Sequence, residues 1–306
     1  MYDIIPDIHG QAEKLKAALT NLGYRDRNGS WRHSDPNRRC VFLGDYIDRG
    51  PQNGTVIDIV RRMVDAGTAH AIMGNHELNA IHFHTEDPAT GQPVRPHSEK
   101  NRHQHAAFLR EFPIGDVKTK DAIDWMAALP LFLEMDDFRA VHACWNEAKV
   151  SKLQKITANG VLSEEQVLLS ADKESELFDL VETTTKGPEL SLPIGYSIFD
   201  KEGTVRTDVR LKWWKSTAST WADIAMSVPD PGELPVTRPP TDLITHVYPT
   251  DAKPVFFGHY WLTGEPVVQA SNAVCLDYSA GKEGPLVSCE VQGPILEIEA
   301  SSIIIH

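Results

Sequence analysis

Near the start of the chain, three short polar blocks contain residue types that bind divalent metals. The blocks are Asp-Ile-His-Gly at residues 7–10, Gly-Asp-Tyr-Ile-Asp-Arg-Gly at 44–50 and Gly-Asn-His-Glu at 74–77. Two later histidines, His142 and His259, each follow a short apolar run. Carboxylate, amide and imidazole groups together suit Mn²⁺, Fe, Zn²⁺ or Co²⁺ better than Mg²⁺. These side chains are enough to hold two such ions, and this combination predicts metal-assisted hydrolysis of a phosphate ester.

The spacing of the blocks indicates how two ions would be shared. Asp7 and His9 are two residues apart, so at an extended strand end both side chains project to the same side and can bind one ion. Asp45 has two carboxylate oxygens and can bridge to a second ion, which would also take Asn75 and the two later histidines. Bridged ions about 3.5–4 Å apart lower the pKa of a shared water. The bridging hydroxide can then attack phosphorus in line, so no protein nucleophile is required.

Three further side chains of the blocks supply what metal ions cannot. His76 follows Asn75 directly and can donate a proton to the leaving oxygen. Asp48 can orient the ring of His76 and keep it protonated, and Arg49 can donate two hydrogen bonds to a phosphate. We therefore predict a catalytic layer beside the metals.

Each block lies just past the carboxyl end of a predicted strand. The apolar runs predict strands over residues 2–6, 40–43 and 69–73, and helical periodicity follows at 11–22 and 56–64. Open α/β sheets collect their functional residues at this edge. The three blocks are therefore expected to meet in space.

Beyond the third block the pattern of elements changes. Residues 131–135 and 138–143 predict a hairpin, residues 254–257 a strand leading to His259, and residues 267–298 three or four short strands. Parallel units followed by antiparallel strands predict an α/β fold in which two sheets pack face to face with helices outside. We expect an αββα sandwich.

Two segments do not fit this core. Residues 82–112 are polar and rich in histidine, and residues 146–250 predict one helix near 163–181 followed by irregular Pro- and Thr-rich chain. We expect one domain over residues 1–306 in which these insertions form a cap or rim. The histidines at the first insertion are expected to form a solvated rim, because their spacing matches no compact set of metal ligands. They are His82, His84, His97, His103 and His105.

Composition excludes some functions. The net charge of −13 argues against nucleic acid as the partner, since nucleic-acid binders usually carry a basic stripe. The four cysteines show no metal-finger spacing, and no apolar stretch approaches the roughly 18 residues of a membrane span. With no leader-like N-terminal pattern, we expect a cytoplasmic protein that does not contact membranes.

The blocks resemble the calcineurin-like metallophosphoesterase superfamily, and most of all its branch of phosphoprotein phosphatases and symmetrical diadenosine tetraphosphatases. The resemblance is close over residues 4–77 and continues through Val-His-Ala at 141–143 and Phe-Gly-His at 257–259. It implies that one metal takes Asp7, His9 and Asp45, and that the other takes Asp45, Asn75, His142 and His259. It also implies His76 as general acid with Asp48 as its partner, and Arg49 as a phosphate ligand.

The chain also departs from that family pattern. Pro6 stands where the family usually has Gly, and Tyr-Trp follows His259 where many branches have a second His. A second phosphate-binding arginine is expected before the last His, and Arg210 is our candidate. Trp145 and Trp261 lie close after the distal histidines and could stack on a nucleobase, although core packing is the more common role of Trp.

The substrate stays open at the level of sequence. A phosphoprotein or a dinucleoside polyphosphate would fit, with two divalent ions as cofactors and Mn²⁺ preferred. The alternative is a non-catalytic metal-binding regulatory or interaction module on the same fold. Such a module would be expected to lose its non-ligand catalytic residues, yet Asp48, Arg49 and His76 are all present.

Overall fold

Short strands and helices alternate along the chain, which the computed structural model describes over residues 1–199, 203–215, 220–226, 228–240 and 247–306. The strands are β1 (Tyr2–Ile5), β2 (Arg25–Arg27), β3 (Ser30–Arg32), β4 (Arg39–Phe42), β5 (Ala69–Ala71), β6 (Phe132–Glu134), β7 (Arg139–Val141), β8 (Glu189–Ser191), β9 (Ile198–Phe199), β10 (Val205–Arg206), β11 (Asp208–Leu211), β12 (Ala225–Met226), β13 (Val255–Phe257), β14 (Ala273–Cys275), β15 (Val287–Val291) and β16 (Ile303–Ile305). The helices are α1 (Ala12–Asn21), α2 (Asn53–Asp65), α3 (Asn75–His84), α4 (Glu99–Gln104), α5 (Ala106–Glu111), α6 (Val117–Ala127), α7 (Glu147–Ile156), α8 (Glu164–Leu169), α9 (Glu176–Lys186) and α10 (Trp221–Ile224), with 3₁₀ turns at Pro231–Glu233 and Ala300–Ser302. No helix within these described ranges is long and apolar enough to cross a membrane.

The first central sheet has the strand order β16-β15-β1-β4-β5. β1, β4 and β5 run parallel, while β15 joins β1 antiparallel and β16 joins β15 antiparallel. The parallel strands are short and apolar, as expected for strands covered on both faces. The last residues of β1 and β4 are fully buried, which places the first two polar blocks at one edge of the sheet.

The second central sheet has the order β14-β13-β7-β6 and packs against the first. Apolar side chains from both sheets form one buried cluster between them, with Ile4 and Val41 from the first sheet and Phe256 and Val274 from the second. Outer helices cover the first sheet through a second cluster that includes Leu15 of α1. The expected sandwich of two sheets with helices outside is confirmed.

The order of the later strands differs from the prediction. β13 pairs parallel with both β7 and β14. The second sheet is therefore mixed, and β6 and β7 form its antiparallel pair among the described strands. Within residues 267–298 the structure contains two strands, β14 and β15, rather than three or four. Glycine and proline at 284–285 and 293–294 interrupt the apolar pattern there, since proline cannot donate to a ladder. The C-terminal β16, for which the sequence offered no prediction, forms the edge of the first sheet.

The predicted single helix at 163–181 is wrong. The segment forms two helices, α8 and α9, because serines cap both of them: Ser163 accepts from the Gln166 N–H and Ser175 accepts from the Leu177 N–H. Farther along, where irregular chain was expected, β8, β11 and β12 form a small sheet. This sheet has its own apolar cluster, which includes Val209.

Candidate metal centre and phosphate site

The loop after β1 places two polar side chains beside Asp45. His9 donates from Nδ1 to the carbonyl of Ile47 at 2.9 Å, which turns its Nε2 toward Asp45 Oδ2, 3.5 Å away. This Nε2 is buried and has no hydrogen-bond partner in the part of the chain that the structure describes. Asp7 lies on the other side, 4.0 Å from the same nitrogen, and accepts the backbone N–H of His259. Burial lowers the pKa of His9 to about 3, so its imidazole is neutral and able to bind a cation.

A second cluster forms around the side-chain oxygen of Asn75. Asn75 Oδ1 lies 3.1 Å from His142 Nε2 and 2.8 Å from His259 Nδ1. His142 Nε2 is also 3.4 Å from Asp45 Oδ1, and its Nδ1 donates to the carbonyl of Leu43 at 2.7 Å. Asp45 therefore belongs to both clusters, with one oxygen facing each. All six expected ligands come together, in two groups that share one carboxylate.

The glycines of the blocks allow this close arrangement. A Cβ atom at Gly258 would overlap Asp7 Oδ1, and one at Gly74 would overlap Asp45 Oδ1. The donor set combines carboxylates, one amide oxygen and imidazole nitrogens, of which His9 Nε2 and His259 Nε2 are buried without a hydrogen-bond partner among the described residues. These residues fit a pair of divalent ions that share a carboxylate.

Glu77, the last residue of the third block, supports the shared carboxylate. Its side chain is fully buried and accepts the backbone N–H groups of Asp45, Tyr46 and Gly74 at 2.8–2.9 Å. Burial, with the charge of Asp45, raises the pKa of Glu77 to about 7. Sequence reasoning gave Glu77 no role, although its position in the block was a signal. It fixes the loop that carries the shared ligand.

His76 and Asp48 lie together as expected. His76 Nδ1 donates to Asp48 Oδ2 at 2.6 Å, and the imidazole is 13% exposed. Burial works against protonation of His76, but the charges of Asp45 and Asp48 raise its pKa above the ordinary value. Asp48 itself is buried, and hydrogen bonds from His105 and His76 overcome the effect of that burial and hold its pKa well below its usual range. The pair has the geometry of an oriented proton donor.

The expected solvated rim of histidines is wrong. His105 is 5% exposed and donates from Nδ1 to the other oxygen of Asp48 at 2.8 Å. His82 is buried against Ser170 Oγ, and His84 and His97 are half-buried, so His103 alone of the five is exposed. Aromatic residues between the histidines, such as Phe83 and Phe108, pull this segment into the core. Among the residues that the structure describes, metal-like groupings of His, Cys, Asp and Glu occur at the two clusters around Asp45 and not here.

Two cations flank Trp261 beside the first cluster. The Arg49 guanidinium lies 4.2 Å from the indole centroid and the Lys282 ammonium 5.2 Å from it, and the indole stacks on His9 at 5.0 Å. Lys14 Nζ holds the loop that carries Lys282 by donating to the carbonyls of residues 280, 282 and 284. Lys282 was missed from the sequence, where nothing links it to the blocks.

The other two expected substrate contacts differ in their placement. Arg210 lies on β11, with Nε 3.7 Å from Glu189 Oε1, and its charge adds to burial in lowering the pKa of His259. It therefore lies close to the second cluster. Trp145 is 1% exposed beneath the guanidinium of Arg139, so the structure places it in the core rather than in the site.

Many residues of the site have a left-handed backbone conformation, with positive φ. Nine non-glycine residues of the described chain have positive φ, and these six belong to the site: His9, Asp45, Asp48, Arg49, His259 and Trp261. Residues held in this region are strained and cluster at functional sites in other proteins. We infer that the strained backbone of these loops directs the six side chains into the site.

Known proteins resemble this chain in sequence and in fold. An asymmetrical bis(5'-nucleosyl)-tetraphosphatase PrpE from Oceanobacillus iheyensis is 32% identical over 162 residues, covering 52% of this chain and 62% of that protein. Its counterpart from Halalkalibacterium halodurans is 43% identical over 75 residues, covering 24% and 30%. The chain thus spans less than two thirds of the length of these relatives.

Both relatives are named as asymmetrical enzymes, whereas the motifs resembled the symmetrical ones. Among solved structures, a cold-active protein-tyrosine phosphatase from a Shewanella species superposes with a TM-score of 0.51 at 20% identity, covering 94% of this chain and 75% of that one. This likeness concerns the fold. A family model for calcineurin-like phosphoesterases matches residues 2–271, and the chain belongs to that family.

Proposed function

We propose that this protein is a metal-dependent phosphoesterase that binds two divalent ions, preferably Mn²⁺. The observation that carries this proposal is Asp45, whose two oxygens face two separate groups of ligand atoms. The first ion would be held by Asp7, His9 and Asp45. The second would be held by Asp45, Asn75, His142 and His259. Such ions activate water and neutralise charge on phosphoryl oxygens.

The remaining side chains of the site would handle the proton and the substrate. His76 uses Nδ1 to donate to Asp48, which leaves its Nε2 proton for the departing oxygen of the ester. Arg49 and Lys282 would bind the non-bridging phosphate oxygens, because both are exposed beside the first cluster. Asp48 keeps the ring of His76 in one orientation. In this way the chain supplies positioning and proton transfer around the ions.

For the substrate we propose a dinucleoside polyphosphate, with a phosphoprotein as the competing candidate. The curated relatives are named bis(5'-nucleosyl)-tetraphosphatases. Arg49 and Lys282 lie beside the first cluster, and the charge of Arg210 acts on His259 of the second, which suits a substrate with several adjacent phosphates. Trp261 already contacts Arg49, Lys282 and His9. These contacts favour a role in positioning the two cations over stacking on a nucleobase.

We also propose that the exposed parts of the insertions 82–112 and 146–250 border the site and select this substrate, although most histidines of the first insertion are buried or half-buried. The second of them carries Arg210 on β11. All four cysteines are buried and unpaired, which supports a reducing compartment such as the cytoplasm.

The test is a product analysis with metal-stripped protein to which Mn²⁺ is returned. Turnover of diadenosine tetraphosphate to ATP and AMP would support the asymmetrical activity, and two ADP the symmetrical one. Preference for phosphoserine or phosphotyrosine peptides over the dinucleotide would refute the proposed substrate class. No turnover of any of these or of 4-nitrophenyl phosphate, with any divalent ion, would support the non-catalytic module instead.

A further inference from the structure

Asp48 is held between two histidines that come from different parts of the chain. His76 donates to one carboxylate oxygen at 2.6 Å, and His105 donates to the other at 2.8 Å. His76 lies at the start of α3, and His105 lies at the junction of α4 and α5. The loop of Asp48 thus meets a segment that carries none of the family motifs.

The ring of His105 is fixed on its other sides. It stacks on Phe108 with 4.7 Å between centroids and an interplanar angle of 18°, and it lies 5.2 Å from Phe83. Its Nε2 is 3.3 Å from His84 Nε2. Burial, then the charge of His105, lowers the pKa of His84 to about 4, so His84 is neutral. The ring of His105 turns its Nδ1 to Asp48 and its Nε2 to His84.

No other side-chain donor of the described residues takes over this oxygen. Asn53 lies close to Asp48, but its Oδ1 accepts the backbone N–H of Asp48 and so cannot donate to the carboxylate. Arg95 is near enough for its charge to interact with Asp48, but its guanidinium donates to Asn101 and Gln104. Without His105, one buried carboxylate oxygen would lose its partner and the carboxylate could rotate away from His76.

We propose that His105 is a positioning residue that locks the carboxylate plane of Asp48 and through it the proton donor His76. This inference rests on the proposed phosphoesterase function and adds a residue that the family motifs do not contain. Among the described residues, the side chain of His105 contacts Asp48, His84, Phe83 and Phe108, none of which is a proposed metal ligand. Its effect is confined to the step in which the leaving oxygen takes a proton.

Two amide substitutions separate this role from packing. Asparagine places its amide nitrogen where histidine has Nδ1, so His105→Asn keeps the hydrogen bond to Asp48. Glutamine reaches the position of Nε2, so His105→Gln keeps a donor toward His84 and loses the one to Asp48. His97→Asn is the matched control, because His97 stacks on Phe83 in the same aromatic cluster, with 3.9 Å between centroids, and has no contact with Asp48.

The experiment compares glycerol 2-phosphate, with a poor leaving group, and 4-nitrophenyl phosphate, with a good one, using the full chain with Mn²⁺. We expect His105→Gln and His105→Ala to lose about 10- to 100-fold in kcat on the alkyl ester, the range seen for supporting hydrogen bonds at metal sites, with KM unchanged. On the aryl ester the loss should be small. His105→Asn and His97→Asn should resemble the wild type on both substrates. In a His76→Ala background, His105→Ala should add no further loss.

Equal losses of the Asn and Gln variants, or equal losses on both esters, would overturn the positioning role. So would additive losses in the double variant. These outcomes are distinct from failure of the proposed function, in which the wild type itself would hydrolyse neither ester.

Discussion

The shared carboxylate allows a prediction in which stability and metal binding fall together. In Asp45→Asn, the amide oxygen can still accept the backbone N–H of His76, which lies 2.9 Å from Asp45 Oδ1. The amide nitrogen then faces His9 Nε2, a buried acceptor that has no partner among the described residues and lies 3.5 Å from Asp45 Oδ2. One new buried hydrogen bond is worth about 0.5–1.5 kcal/mol. The change also removes the negative charge that, against the effect of burial, raises the pKa of His142 to about 10, and the loss of this buried ionic contact outweighs the new hydrogen bond. The metal-free variant should therefore be less stable than the wild type, by about 1–3 kcal/mol.

Added metal should widen the difference in stability between the wild type and the variant. At a free concentration of 100 times Kd, each bound ion raises the free energy of unfolding by about 2.7 kcal/mol. The wild type should gain this amount for each site, whereas Asp45→Asn should gain almost nothing and should show no turnover. The assay is urea unfolding followed by circular dichroism, once with EDTA and once with Mn²⁺. Asp136→Asn, the same change at an exposed turn residue far along the chain, is the control and should behave as the wild type.

The result that would refute this reasoning is a variant that Mn²⁺ stabilises as much as it stabilises the wild type. Asp45 would then be a structural residue, and the ions would bind elsewhere or not at all. Wild-type turnover by Asp45→Asn would lead to the same conclusion.

Three more predictions follow from the same site. His76→Ala should lower kcat on alkyl phosphates by about 10²–10⁴-fold and much less on aryl phosphates; equal losses would remove His76 from the acid role. Glu77→Gln must lose at least one of three bonds from backbone N–H groups to a buried carboxylate, so unfolding titrations should show a loss of about 1.5–3 kcal/mol and calorimetry a weaker Mn²⁺ affinity. Lys282→Met should raise KM for diadenosine tetraphosphate more than for 4-nitrophenyl phosphate, and an equal rise for both would place Lys282 outside the polyphosphate contacts.

The part of the site that could be predicted from the sequence consists of residues that directly follow a predicted strand. Asp7, Asp45 and Asn75 each follow a short apolar strand, and the ends of parallel strands meet without any knowledge of distant packing. The same logic found the two sheets. It failed for the strand directions, because whether β13 runs parallel or antiparallel to β7 depends on the route of the chain between them.

His105 shows why the rest was out of reach. Its partner Asp48 lies 57 residues earlier, and the contact exists because the α4–α5 junction packs onto the loop of the second block. A polar segment rich in histidine gives no sign of that packing. The break between α8 and α9 was hidden for a related reason, since apolar periodicity continued across Ser175, which caps the start of α9.

The left-handed backbone of the site has a consequence for how the protein can evolve. For a non-glycine residue this conformation costs roughly 1–2 kcal/mol, which exceeds the roughly 0.5–1 kcal/mol that a glycine loses in chain entropy. Glycine at Arg49 or Trp261 would therefore be tolerated by the fold, or even improve it, while removing a side chain from the site. A lineage relieved of selection for turnover would be free to drift toward glycine at such positions. In this chain all six positions carry a side chain in the strained conformation, so their residue types serve the site at a cost to the stability of the fold.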